Sequence, residues 1–233
     1  MRNTRSFFLA CACSLAFPVQ AGVLGPLGGS GLHGEYAQFT DSPFNGLNLS
    51  YFYLEDFEDL ALNTPGVIAD NGSVISLANS FAIDSVDADD GTVDGSGENG
   101  ASFVAGNSIT FSFNDAVLGK LPTHAGIVFT DNTEGALITF EAFDQNGVSL
   151  GSVSATLGDS TFESTTKDNR FFGAENAGGI SRIVISDNSS PNNLEVDHLQ
   201  YGLSAPVPEP ETYALMLAGL GLVGFAARRR KSA

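Results

Sequence analysis

Cysteine is all but missing from this 233-residue chain. Cys11 and Cys13 both fall inside an N-terminal stretch that reads as a secretory signal, so the expected mature protein carries no thiol. Disulfides, thiolate zinc sites and cysteine nucleophiles are thereby excluded. An exported chain without them draws its stability from core burial, from bound metal, or from both. Bases are scarce as well: 10 Lys+Arg face 27 Asp+Glu, for a formal charge of -17, and between residues 22 and 206 the bases are Lys120, Lys167, Arg170 and Arg182. Nucleic acid is set aside as a partner on that ground, because phosphate backbones are held by Lys and Arg clusters. Tryptophan is absent, which removes the best stacking surface for a sugar ring. No G-x-S-x-G elbow, H-E-x-x-H pair or P-loop occurs, and the histidines are His33, His124 and His198. Helical periodicity is lacking before Thr212.

What is present begins with the ends. Arg2 and Arg5 precede an apolar run, Ser6 to Phe17, and Val19-Gln20-Ala21 supplies a small-x-small pattern, which places signal cleavage after Ala21. The run of about 12 apolar residues is too short for a span, which needs roughly 20. At the other end, Val207-Pro208-Glu209-Pro210 is rigid and extended because each proline fixes φ and biases its predecessor away from helix. A Gly/Ala/Leu-rich stretch, Thr212 to Ala227, reads as a short transmembrane helix, and Arg228, Arg229, Arg230 and Lys231 follow it. The basic cluster stays cytoplasmic, leaving the preceding chain outside, and a helix this short requires bilayer thinning.

Those three features in fixed order resemble the PEP-CTERM sorting signal of Gram-negative bacteria. The resemblance implies recognition by a membrane-embedded exosortase and cleavage near Pro208-Glu209-Pro210. It further implies an inner-membrane intermediate held transiently by the helix, and then transfer to the cell surface or extracellular matrix.

Between the ends, period-two alternation dominates. Ser108 to Phe113, Leu137 to Phe143 and Ser181 to Ser186 alternate cleanly, and Asn48 to Leu54, Ala125 to Phe129 and Leu194 to Tyr201 read as further strands. Asp144-Gln145-Asn146-Gly147 should close a hairpin into Val148 to Val153, and Asp131 to Gly135 should do the same one strand earlier. Short strands at such spacing predict an all-β fold, a jelly-roll-like antiparallel β-sandwich. The expected layout is a signal peptide at 1–21, a flexible glycine-rich lead-in at 22–47, the sandwich at 48–204 and the sorting signal at 205–233.

Candidate chemistry lies in the acids. Asp84 to Gly100 interleaves Asp87, Asp89, Asp90 and Asp94 with Gly and Ser, and oxygen ligands on a loop suit calcium. It is no EF-hand, since Ala101 occupies the position of the bidentate Glu. The bland reading is a solvated acidic loop. A second group, Glu55, Asp56, Glu58 and Asp59, follows the first strong strand, and Glu195 and Asp197 lie in the last one. An early F-E-D with a late V-D-H-L-x-Y is similar to galactose-binding-like and carbohydrate-binding β-sandwiches. That resemblance implies a structural calcium between Glu58 or Asp56 and Asp197, against strand-end carboxylates satisfied by backbone N–H groups.

His198 reads as a satisfied strand histidine. Tyr36, Tyr51, Tyr53 and Tyr201 are candidate sugar platforms, and Phe171-Phe172 reads as core. Lys167, Arg170 and Arg182 form the one positive cluster, able to meet an anionic polysaccharide. Glu141 and Asp144 could mimic a glycosidase pair, but in so acidic a chain such pairs arise freely. The expectation is an exported, non-enzymatic surface or extracellular-matrix protein associated with biofilm or exopolysaccharide; the alternative is a calcium-stabilised carbohydrate-binding module.

Overall fold

Alternation marks a sheet with one wet face. In Ser108–Phe113 the buried positions are Ile109, Phe111 and Phe113, and in Ala136–Asp144 they include Ala136, Ile138, Phe140 and Ala142. In His124–Asp131 and Leu194–Ser204, by contrast, nearly every residue is buried, so those strands are covered on both faces. The computed structural model describes residues 21–29, 34–76, 83–132, 134–159, 161, 165–188, 194–206 and 210–231. The expected signal peptide ahead of Ala21 lies outside them.

Among the described residues the strands run β1 (Gly22–Leu27), β2 (Leu49–Glu55), β3 (Val67–Ala69), β4 (Ser73–Ser76), β5 (Ala101–Ala105) and β6 (Ser108–Phe113). After a single helical turn, α1 (Asp115–Leu118), follow β7 (His124–Asp131), β8 (Ala136–Asp144), β9 (Ser149–Leu157), β10 (Arg170–Glu175), β11 (Ile180–Asp187) and β12 (Leu194–Ser204). They form two antiparallel sheets. The seven-stranded sheet has the order β1-β10-β7-β12-β5-β4, with β2 on β12, and the five-stranded sheet has the order β3-β6-β11-β8-β9. Strand β12 is central: β7 lies along one edge, while β5 and then β2 share the other.

The two sheets face each other across an apolar core. Phe140 stacks on Phe172 at 6.1 Å and Phe103 meets Phe111 edge-on at 5.5 Å. Burying one such ring contributes roughly 1.5–3 kcal/mol, and truncating it to Ala costs about 3–5 kcal/mol. These rings carry the stability that disulfides supply in other exported domains. The outer face of the seven-stranded sheet has its own apolar cluster, in which Tyr36, Phe44 and Val86 from loops pack on Val128 and Phe171. Glycine makes room for it: a Cβ at Gly126 would stand 2.3 Å from the Phe171 ring, and one at its cross-strand partner Gly173 would stand 2.7 Å away. Loops 34–47 and 83–100 thus roof this face.

The structure alters two expectations about the body. Residues 22–27 are an edge strand, irregular at Gly25-Pro26 as edges tolerate, and Tyr36 and Phe44 are buried, so the 22–47 lead-in belongs to the fold. The turn after Asp131 does not close a hairpin: β7 and β8 lie in different sheets, because turn residues signal a reversal without specifying the partner. Asp144 to Gly147 does close β8 onto β9.

Helix α2 (Pro210–Lys231) forms within the sorting segment. No helix among the described residues is long and apolar enough to cross a membrane. The helix is as expected, and its span is not: the apolar stretch is short and is cut off by Arg228, Arg229 and Arg230.

Candidate functional site

Register between β7 and β12 breaks twice. Glu195 pairs with Asp131 but Val196 pairs with Phe129, leaving Thr130 extra; Asp197 pairs with Val128 but Gln200 with Gly126, leaving one extra residue on β12. That extra residue is His198, whose φ of 46° is left-handed. Such bulges re-aim side chains. Val196 and Leu199 both enter the core between the sheets, so Asp197 and His198, adjacent in sequence, are both turned to the outer face. Asp131 likewise joins Glu195 there.

On that face a directed chain of hydrogen bonds has formed. Ser42 Oγ donates to Gln200 Oε1 at 2.6 Å, and Gln200 Nε2 donates to Tyr36 Oη at 2.8 Å. Having accepted one proton, and with burial holding its phenol protonated, Tyr36 donates to His198 Nδ1 at 3.3 Å. This assigns the Nε2–H tautomer, which donates to Asp89 Oδ1 at 3.0 Å. Asp197 accepts the amides of Val86 at 2.8 Å and His198 at 2.6 Å. Burial first, and Asp89 second, push the Asp197 carboxyl well above its ordinary range.

Asp89, Asp197 and His198 offer ligand atoms within 4.8 Å of one another and could hold a metal ion. The donor chemistry fits calcium poorly. Calcium takes oxygen, whereas one of the three ligands is an imidazole whose Nε2–H is already given to Asp89, and Asp197 is engaged by two amides. Asp89 Oδ2 is the one carboxylate oxygen of the trio without a described partner. Imidazole with carboxylates suits a borderline transition ion instead, or a proton.

The other predicted ligands scatter. Glu58 accepts the Ala101 amide at 2.6 Å and lies within electrostatic reach of Asp89 and His198. Asp56 is exposed and caps the Glu58 amide. Buried Glu55 accepts Thr64 Oγ1 at 2.6 Å and the Phe57 amide. Asp87 accepts the amides of Asp94 and Gly95, Asp90 that of Thr92, and Asp94 itself is exposed. Asp87 and Asp90 therefore fold their own loop.

A second acid group joins Asp84 and Glu195, both among the acids the sequence offers as candidates, to Asp131 and Asp168, which it does not single out as ligands. Asp84, Asp131, Asp168 and Glu195 are each at most 8% exposed. Burial, then Asp168 and Asp84, push the Asp131 carboxyl up to about 8; burial, then Asp159 and Asp84, push Asp168 up to about 7. Glu195 is raised by burial, Asp131 and Asp84. Asp84 accepts the Thr165 amide and Glu195 accepts the Asp84 amide. Neither carboxylate oxygen of Asp168 meets a donor from another described residue, and Thr130 Oγ1, Thr165 Oγ1 and Asn169 Oδ1 nearby are likewise buried without one. Arg170 gives its guanidinium to the carbonyls of Lys167 and Asn169.

Remaining candidates resolve structurally. Tyr36 and Tyr201 are fully buried, so neither is a sugar platform, while Tyr51 and Tyr53 are half-buried beside Tyr201. Phe171 and Phe172 are core, one on each face of β10. Arg182 stacks 3.8 Å from the Phe143 ring on the five-stranded sheet, whereas Arg170 lies on the other sheet. Glu141 accepts Ser149 Oγ and Asp144 caps its hairpin turn.

Residues 206–231 match the PEP-CTERM protein-sorting motif, which indicates an exported protein processed at the membrane. No curated protein matches the chain. Among solved structures, it is similar to TmCBM61 in complex with beta-1,4-galactotriose, at 13% identity over 64% of this chain and 94% of that one, TM-score 0.32. It is also similar to the xylan-binding domain from CBM 22, at 10% identity over 68% and 97%, TM-score 0.33. A third is the C-terminal family 22 carbohydrate binding module of Clostridium thermocellum Xyn10B, at 10% identity over 70% and 99%, TM-score 0.33.

Proposed function

We propose that this chain is a non-catalytic protein of the cell surface or extracellular matrix, associated with biofilm or exopolysaccharide. In this reading an exosortase-type enzyme cuts it near Val207-Pro208-Glu209-Pro210. The carrying observation is the sorting motif at 206–231. Its parts divide the labour physically. Residues 207–209 lie outside the described residues, and Pro210 opens helix α2. Arg228 to Arg230 hold the cytoplasmic side, and the short apolar helix gives a marginal membrane hold suited to an intermediate. The acidic body stays soluble once released. A non-catalytic role is supported by how the histidines are used: His198 is bonded to Tyr36 and Asp89, and His124 bonds Thr123 Oγ1 at 2.9 Å while packing edge-on against Phe44.

Mass spectrometry of the protein released from its own cells tests this reading. The expected mature form begins after Ala21 and ends near Pro208-Glu209-Pro210. An exported protein still carrying Arg228 to Lys231 rejects processing.

A second reading, a calcium-stabilised module that binds polysaccharide, is supported by the half-open tyrosines Tyr51 and Tyr53, 5.7 and 6.0 Å from Tyr201. Affinity electrophoresis in acidic and neutral glycans decides it, and migration unchanged in every glycan rejects it.

A further inference from the structure

The acids beside the Thr130 bulge pose a problem of burial, sharpest at Asp168. Asp84, Asp131, Asp168 and Glu195 are withdrawn from water, and among the described residues no lysine or arginine forms an ion pair with Asp131, Asp168 or Glu195. Isolating an ionised carboxylate from water costs several kcal/mol unless it is paired. Protons could neutralise the group, but each protonated carboxyl gains a single O–H donor, fewer than its acceptor oxygens. Asp168 offers two buried acceptor oxygens to no neighbour, and the buried oxygens of Thr130, Thr165 and Asn169 alongside are also without donors. What the group lacks is a single positive centre able to bond several oxygens at once. Its donors are oxygen throughout, with no imidazole among them, which is the preference of a hard ion such as calcium.

We infer that Asp84, Asp131, Asp168 and Glu195 form a calcium site, separate from the Asp89–Asp197–His198 cluster. Glu195 and Asp131 come to it as cross-strand partners brought together by the Thr130 bulge. Asp168 comes from the turn at 167–168, and Asp84 from the loop that leads to Asp89. In the described residues only the His198 cluster converges within 4.8 Å, so calcium draws Asp168 and its turn toward Asp131 as it binds. Affinity is then that of extracellular modules, with Kd about 10⁻⁴–10⁻³ M. The inference assigns residues to the calcium of the second reading and needs neither sorting nor glycan binding, so unchanged glycan electrophoresis would leave it standing.

The experiment compares melting of the full chain in calcium chloride and in EDTA, for wild type, Asp168→Asn, Asp131→Asn and Asp89→Asn. Wild type and Asp89→Asn should gain about 5–10 °C when calcium is about a hundredfold above Kd. Asp168→Asn and Asp131→Asn should lose the gain. No gain in wild type overturns the site, as does a gain kept by Asp168→Asn and Asp131→Asn; a gain lost only in Asp89→Asn moves the ion to His198. Should either Asn variant fail to fold, amide exchange on wild type decides. Calcium-dependent protection at 165–169 supports the site, and protection absent there overturns it.

Discussion

Two sets of buried carboxylates lie a few residues apart on the outer face of one sheet, and they are treated oppositely. Asp89 ends a hydrogen-bond chain that begins at Ser42 and passes through Gln200, Tyr36 and His198, and Asp197 accepts the Val86 and His198 amides beside it. Asp131, Asp168 and Glu195 have no comparable chain; the charge they share as a neighbour is that of a further acid, Asp84. The difference teaches that burial of acid by itself does not identify an ion site. What separates the two sets is how many carboxylate oxygens remain without donors: Asp89 Oδ2 alone in the first, both oxygens of Asp168 in the second. By that criterion the cluster with tighter geometry is the poorer home for calcium.

The comparison can be broken most sharply by truncating Asp197. Asp197→Ala strands the buried Val86 and His198 amides and should cost about 2–5 kcal/mol in urea unfolding, at about 1–3 kcal/mol for each. A loss below about 1 kcal/mol would mean that the network does not hold the loop to β12. Tyr36→Phe removes the hydroxyl joining Gln200 to His198, and about 1–3 kcal/mol should be lost. On the other set the sign should invert. Asp168→Asn in EDTA removes repulsion and should leave stability unchanged or raised by about 1 kcal/mol, as when buried ions give way to neutral groups.

Acidity separates the sets further. Asp131 and Asp168 titrate near 8 and 7, above their unfolded values of about 3.9. The folded protein therefore binds more protons than the unfolded one from about pH 4 to 8, and stability in EDTA falls as pH rises through that window. Asp84, Asp159 and Glu195 reinforce the trend, and Arg170 opposes it. Calcium should remove the decline in wild type and leave it in Asp168→Asn. A melting temperature that climbs with pH in EDTA would contradict the assignment. Smallest of all, Asp94→Asn on the exposed loop should change stability by less than about 0.5 kcal/mol.

Much of the scaffold was legible in the sequence. The alternations of β6, β8 and β11 name their inward residues directly, because one face of that sheet meets water. Asp144 to Gly147 announced its hairpin through turn chemistry, and the Pro-Glu-Pro, apolar and arginine order announced the tail. The acidic sites were less open to reading. Alternation fails at Thr130 and His198, so from the sequence Asp131 reads as a turn residue and His198 as a member of a regular strand. Asp168 stands in a loop among Thr, Lys and Asn with no pattern around it. Burial on both faces of β7 and β12 depends on a roof contributed by residues 34–47 and 83–100, and no local window contains that information.

The paired irregularities in β7 and β12 have a final consequence. Each strand carries one surplus residue, on opposite sides of the ladder, so the slip introduced at Thr130 is undone at His198 and the strands resume their original pairing at Gln200 with Gly126. A chain lacking both residues should knit into an uninterrupted ribbon with its sandwich intact and its outer face emptied of ionic function. A chain lacking either one alone would carry the error through every later rung.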